Sequence, residues 1–167
     1  MKTVYIVRHA KSSWENPLLP DDQRPLLEKG KKRTKKIIDF LLRQDVSVDL
    51  MISSHAVRAL ETAKILAHAL RYPKENIRID SRIYSTDGNG LFDEFNDLPE
   101  KSSSVMIIGH NPALTDFVNS FLDAKIDHLP TSGVFSITFR TERWEEVSNS
   151  EFTINFLIFP KILNPND

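Results

Sequence analysis

Residues Thr3–Trp14 read TVYIVRHAKSSW. Five strand-favouring residues, Thr3 to Val7, run directly into Arg8 and His9. An apolar run of this kind fits a strand buried on both faces, as in a parallel sheet. A cation and an imidazole at its end have two readings: ordinary polar cover for a strand terminus, or a reaction site. In open α/β sheets, ligands bind beyond the carboxyl ends of the strands. The second reading therefore demands unusual polar residues just after other strands too.

Outward from this stretch, short apolar runs alternate with amphipathic segments. DLMIS from Asp49 and SVMIIG from Ser104 read as buried strands, and NIRID (76–80) as a shorter one. EKGKKRTKKIIDFLLRQ (28–44) is expected to be a helix with Ile37, Ile38, Leu41 and Leu42 on one face. Its lysines and Arg33 read as a solvated face, with a docking surface for an acidic partner as the other use. AVRALETAKILAHAL (56–70) is helical in period and rich in Ala and Leu. GLFDEFNDL (90–98) reads as a short helix, and Pro112 suits the first turn of a helix running ALTDFVNSFL. GVFSITFR and EFTINFLIFP, joined by a short polar stretch, read as an antiparallel pair at a sheet edge. The expected fold is a three-layer α/β/α sandwich with a mainly parallel central sheet and an antiparallel edge.

A length of 167 residues suits one domain with a sizeable core. With 22 basic against 23 acidic residues, no global attraction to nucleic acid or to an acidic membrane surface is expected. Cysteine is absent, which removes disulfides, zinc–thiolate sites and thiol catalysis. The N-terminal apolar run is too short for a signal peptide. No segment approaches the roughly 20 apolar residues of a membrane span. A cytoplasmic protein is the expectation.

Three strand ends meet the demand set by the first. Arg8 and His9 follow the opening strand; Ser53 and Ser54 follow the second, with Arg58 about one turn into the next helix. Gly109 and His110 follow the third, with Asn111 and Pro112 opening a helix. Arginine forks match the oxygens of a phosphoryl group and stay charged, and helix N-termini add backbone donors. An imidazole is a competent nucleophile near neutral pH. Flanking arginines penalise imidazolium, which leaves a nitrogen of His9 free to attack phosphorus, while His110 can donate to the equatorial oxygens. Two arginines disfavour a metal cation, and no zinc-type spacing of His or carboxylate occurs. No metal or organic cofactor is implied.

VRHAKSS, ISSHAVRALETA and IIGHNP together resemble the signatures of the histidine phosphatase, or phosphoglycerate mutase-like, superfamily, from Val7 to Pro112. RHAKSSW, DDQRPLLEKG and LPTSGVFSITF are most similar to its short SixA-type phosphohistidine phosphatases. The resemblance implies one histidine phosphatase-like domain over residues 1–167. It implies that His9 is the phosphorylated nucleophile and that Arg8, Arg58 and His110 complete the phosphate pocket; Ser53 and Asn111, at the ends of two of the strands, are expected to support them. It also brings the Asp21–Arg24 segment near the site rim, where Arg24 either meets substrate or forms a surface salt pair.

Three departures from the family pattern follow, and the last bears on substrate. Ala10 stands where a glycine is common, and Asn16 lies one position late for the phosphate-contacting asparagine of the mutase branch. The mutase branch also carries a mid-chain glutamate acid; Asp87, Asp93 and Glu94 are the candidates here. Expelling an alkoxide needs a positioned proton donor, whereas a phosphoramidate releases imidazole with less help. Phosphohistidine on a protein is therefore the expected substrate. The rivals are a small phosphate monoester, such as a sugar phosphate or nucleotide, and a non-catalytic phosphoprotein-binding module. Of the remaining histidines, His55 is expected at the pocket rim and His68 in a structural position. His128 is expected in a turn before Thr131 and Ser132.

Overall fold

The computed structural model describes residues 1–166. Six strands form one sheet: β1 (Lys2–Arg8), β2 (Leu50–Ser53), β3 (Arg78–Ile79), β4 (Ser104–Gly109), β5 (Val134–Phe139) and β6 (Phe152–Ile158), in the order β3-β2-β4-β1-β5-β6. β3, β2, β4 and β1 run parallel, while β5 and β6 add an antiparallel edge. Six helices accompany them: α1 (Glu28–Arg43), α2 (Val57–Ala69), α3 (Arg82–Ser85), α4 (Gly88–Phe95), α5 (Ala113–Asn119) and α6 (Pro160–Leu163). Among the described residues, no helix is long and apolar enough to cross a membrane.

Side-chain alternation along the strands divides the interior into two cores. Val4, Ile6, Ile52, Val105 and Ile107 face α4 and α5, packing with Leu91, Phe95, Leu114 and Phe117. Val7, Met51, Met106 and Ile108 face α1 and α2, packing with Ile37, Leu41, Ala63 and Leu66. Successive residues of one strand point to opposite faces, so an unbroken apolar run serves both layers. The expected three-layer sandwich is the observed one.

Three local expectations need revision. Leu42 is 48% exposed, and the buried stripe of α1 is instead Gly30, Thr34, Ile37 and Leu41. Spacings of four, three and four keep those residues on one helical face, which Leu42 overshoots. Gly30 is needed there because a Cβ would lie 2.5 Å from the backbone oxygen of Lys11. That close approach holds α1 against the loop two residues beyond His9. The link between β5 and β6 is also less polar than expected, since Trp144 is buried and donates to Ser102 O at 2.9 Å. Pro112 stands at the N-cap of α5, after a cis peptide bond from Asn111, rather than within the first turn.

All four parallel strands end at the same edge of the sheet. There the chain is tied across strands: His9 N donates to Gly109 O at 3.2 Å, and Ser54 N to Ile108 O at 3.1 Å. The segments after β1, β2 and β4 are thereby drawn into one region.

Candidate active site

His9 and His110 lie side by side there, with ring centroids 5.2 Å apart, and both are buried. His9 Nδ1 is 2.7 Å from Ala10 O. A carbonyl only accepts, so Nδ1 carries the proton and Nε2 keeps a free lone pair. Ala10 N in turn donates to Thr62 Oγ1, and Thr62 donates to Arg58 O one helical turn earlier. Thr62 thus couples the His9 loop to the Arg58 turn of α2.

His110 is set by Ser54. Ser54 Oγ accepts from Ala56 N at 3.1 Å and lies 2.8 Å from His110 Nε2. The hydroxyl keeps a second lone pair as well as its proton; where it donates to Nε2, the ring proton falls on Nδ1. That Nδ1 is buried without a hydrogen-bond partner among the described residues.

Three arginines surround the pair. Arg8 Nη1 donates to Leu129 O at 3.0 Å, while its buried Nε has no hydrogen-bond partner among the described residues. Arg58 donates through Nη1 and Nη2 to Asp21 O and Oδ2, again leaving a buried Nε unpartnered among the described residues. Arg24 is buried, forms the expected salt pair through Nε with Asp21 Oδ1 at 3.2 Å, stacks its guanidinium 3.4 Å from the Trp14 ring centroid, and keeps Nη1 without a partner among the described residues. Buried donors are ordinarily satisfied. A cluster of idle arginine and imidazole donors is a site made for an anion.

Electrostatics agree with this geometry. Burial, reinforced by Arg58, Arg8 and Arg24, pushes His9 down to about 4, against a hydrogen bond to Ala10 that works the other way. Burial, followed by His9 and Arg58, pushes His110 down to about 3. Both rings are neutral at pH 7. Their depressed values make the unfolded chain the better proton acceptor between about 4 and the ordinary value of about 6.5. Stability is therefore expected to fall as pH drops through that window, by about 1–2 kcal/mol per histidine from pH 6.5 to 5. Urea unfolding at both pH values measures it, and equal midpoints would mean that the rings take up protons in the folded state.

Sequence reasoning gave no role to three participants, although it placed Asp21 near the rim and Ser54 after the second strand. Asp21 accepts from Arg58 and from Tyr84 Oη at 2.6 Å. Those bonds, the one from Tyr84 foremost, hold its carboxyl down at about 2. Tyr84 also meets His110 edge-on at 5.3 Å between centroids and His55 at 4.9 Å, and nothing local in the sequence marks it. Ser54 makes the contact expected of Ser53, whose own hydroxyl turns to Ser54 O at 2.8 Å. Alternation along β2 carries neighbouring serines to opposite sides.

The other expectations fall as follows. Asn111 Nδ2 shares Leu129 O with Arg8, and Asn111 Oδ1 is buried and unpartnered among the described residues. His55 lies at the rim, 3.4 Å from Asp22. His68 is exposed rather than structural, and His128 is also exposed. Ser132 does not present its hydroxyl to the pocket but bonds Thr34 Oγ1 at 2.8 Å. Asp87 caps α4 through Gly90 N, Asp93 is exposed, and Glu94 is buried on Arg82. Among the described residues none of these three bonds to His9, His110, Arg8 or Arg58.

A parallel-sheet edge carrying paired histidines and idle arginines matches known proteins at several levels. Residues 4–84 match the family model of the histidine phosphatase superfamily (branch 1). A chloroplastic protein of Arabidopsis thaliana, itself uncharacterized, is 28% identical over 153 residues, covering 87% of this chain and 70% of its own. The structure of the protein histidine phosphatase SixA complexed with tungstate superposes with a TM-score of 0.81 at 22% identity, covering 97% of this chain and 99% of that one. A mycobacterial glucosyl-3-phosphoglycerate phosphatase superposes with a TM-score of 0.63 at 11% identity, covering 93% and 97%. The class so defined is a phosphohydrolase. The family match spans just under half of the chain, and the fold over the whole of it is SixA-like.

Proposed function

We propose that this phosphatase hydrolyses phosphohistidine displayed on another protein, through a phosphohistidine intermediate on His9. The observation that carries the reading is the free Nε2 of His9 beside unpartnered donors of Arg8, Arg58, Arg24 and His110. The lone pair of Nε2 attacks phosphorus while the bond from phosphorus to the substrate imidazole breaks. That electron pair leaves with the substrate nitrogen, which takes a proton from solvent. Arg8 and Arg58 hold the equatorial oxygens, with Arg24 at the entrance, and His110 Nδ1 donates as charge builds. Asn111 orients the Leu129 carbonyl that Arg8 uses. Water then attacks the phosphoenzyme, the bond from phosphorus to Nε2 breaks, and inorganic phosphate departs with neutral His9 restored.

Substrate choice follows from proton supply. The carboxylate bonded into the cluster is Asp21, and at about 2 it is ionised and has no proton to give at neutral pH. A leaving imidazole tolerates this, whereas an alkoxide does not. One observation favours the rival monoester reading: the Tyr84 hydroxyl, held protonated by Asp21, stands near His110. The test compares kcat/KM on a histidine-containing protein phosphorylated with phosphoramidate against a panel of sugar phosphates and nucleotides. The phosphohistidine protein is expected to lead. A monoester that outperforms it would overturn the substrate while leaving the His9 chemistry standing.

A further inference from the structure

We propose that the basic first half of α1, with the recess beside it, is the docking surface for an acidic face of the phosphohistidine-bearing protein. This rests on the substrate reading above. Residues 29–36 carry Lys29, Lys31, Lys32, Arg33, Lys35 and Lys36, while the whole chain has a net charge of −1. Lys31 is paired with Glu28 at 3.0 Å, but Lys29, Lys32 and Arg33 form no ion pair among the described residues. One recess of about 440 Å³ is lined by Lys29, Lys32, Arg33 and Lys36. A second, of about 400 Å³, shares Arg33 and is lined also by His128, Thr131, Phe159 and Lys161.

This surface joins the wall of the anion pocket. Thr34, next to Arg33, bonds Ser132, whose backbone N–H donates to both Arg8 O and His9 O. At the other end of the Pro130–Thr131 segment, Leu129 O receives Arg8 and Asn111. The first half of α1 thus borders the loop that walls the anion pocket. From Lys29 to Lys36 the helix rises roughly 10 Å, further than a bound phosphate or sugar phosphate reaches. A local cationic field on a protein of near-zero net charge acts on the partner that docks there, raising encounter rates in a salt-dependent way.

The test reverses the charge away from the reacting groups, in the double variant Lys32→Glu/Arg33→Glu. Two substrates are used: an acidic histidine-containing protein phosphorylated with phosphoramidate, and phosphoimidazole, which is too small to touch α1. For the protein, kcat/KM is expected to fall about 10–100-fold, chiefly through KM, and the wild-type loss of rate with added salt should flatten. Turnover of phosphoimidazole should stay within twofold, which also shows that the variant is folded. If the wild-type enzyme turns over the phosphoprotein and the variant does so equally well, docking on α1 is wrong and the substrate reading survives. If the wild-type enzyme instead prefers a monoester, the substrate reading fails and docking goes with it. Wild-type binding to DNA or to anionic vesicles that the variant loses, with phosphoprotein turnover unchanged, assigns the face to that partner and overturns the proposal.

Discussion

His9→Ala is expected to lower turnover of every phosphorylated substrate by at least about a thousandfold, the scale of losing an activated nucleophile. Its second signature is chemical. Quenching wild-type turnover in alkali should trap a phosphoenzyme that is stable to base and labile to acid, as an imidazole–phosphorus bond is, and the variant should yield none. The arginines and His110 remain in the variant, so it should still bind tungstate or phosphate. That separates loss of the nucleophile from loss of the pocket. Removing the ring leaves Ala10 O without its donor, at a cost of about 1–3 kcal/mol, so a thermal melt belongs beside the assay. A folded His9→Ala enzyme with near-normal turnover would move the nucleophile elsewhere, with His110 the first place to look.

Arg58→Ala comes next in size, with an expected fall in kcat/KM of about 10²–10³-fold, as for other preorganised donors to transition-state charge. Arg58→Lys should restore little of it. The ammonium lacks the fork that lets Arg58 hold Asp21 with two nitrogens and still aim Nε into the pocket. The substitution also has a direction in pH. Arg58 is the first among the charged groups that depress His9. Without it the His9 value rises from about 4 toward the ordinary one of about 6.5. His9 acts as the neutral ring, so activity is lost as pH falls through its value. The acid limb of kcat/KM should therefore move to higher pH in Arg58→Ala. An unmoved limb would show that some other group controls that side of the profile.

Much of the architecture was legible because it depends on local pattern. The apolar runs at Thr3–Val7 and Ser104–Gly109 must be buried on both faces, and both lie centrally in the sheet. The alternating runs after Gly133 and Glu151 can form an antiparallel edge, and they do. Less was legible where a single residue's direction mattered. Leu42 and Ile38 are equally apolar, yet helical angle leaves Leu42 in solvent. Ser53 and Ser54 are the same residue type, and only the pleat decides which one meets His110.

TVYIVRHA, SSHAVRA and GHNP by themselves determined that two histidines and two arginines sit at, or within a few residues of, the ends of parallel strands. Side-chain period and strand ends are local properties of the chain. Only the tertiary structure decided how those groups are held. Asp21 reaches Arg58 across 37 positions, and Tyr84 reaches Asp21 across 63. Contacts at such separations leave no periodic trace in sequence, because they depend on where whole elements pack. The tautomer of His9 was decided in the same way, by Ala10 O. A ring nitrogen's proton is fixed by its neighbours in space, and those neighbours exist only once the sheet has assembled.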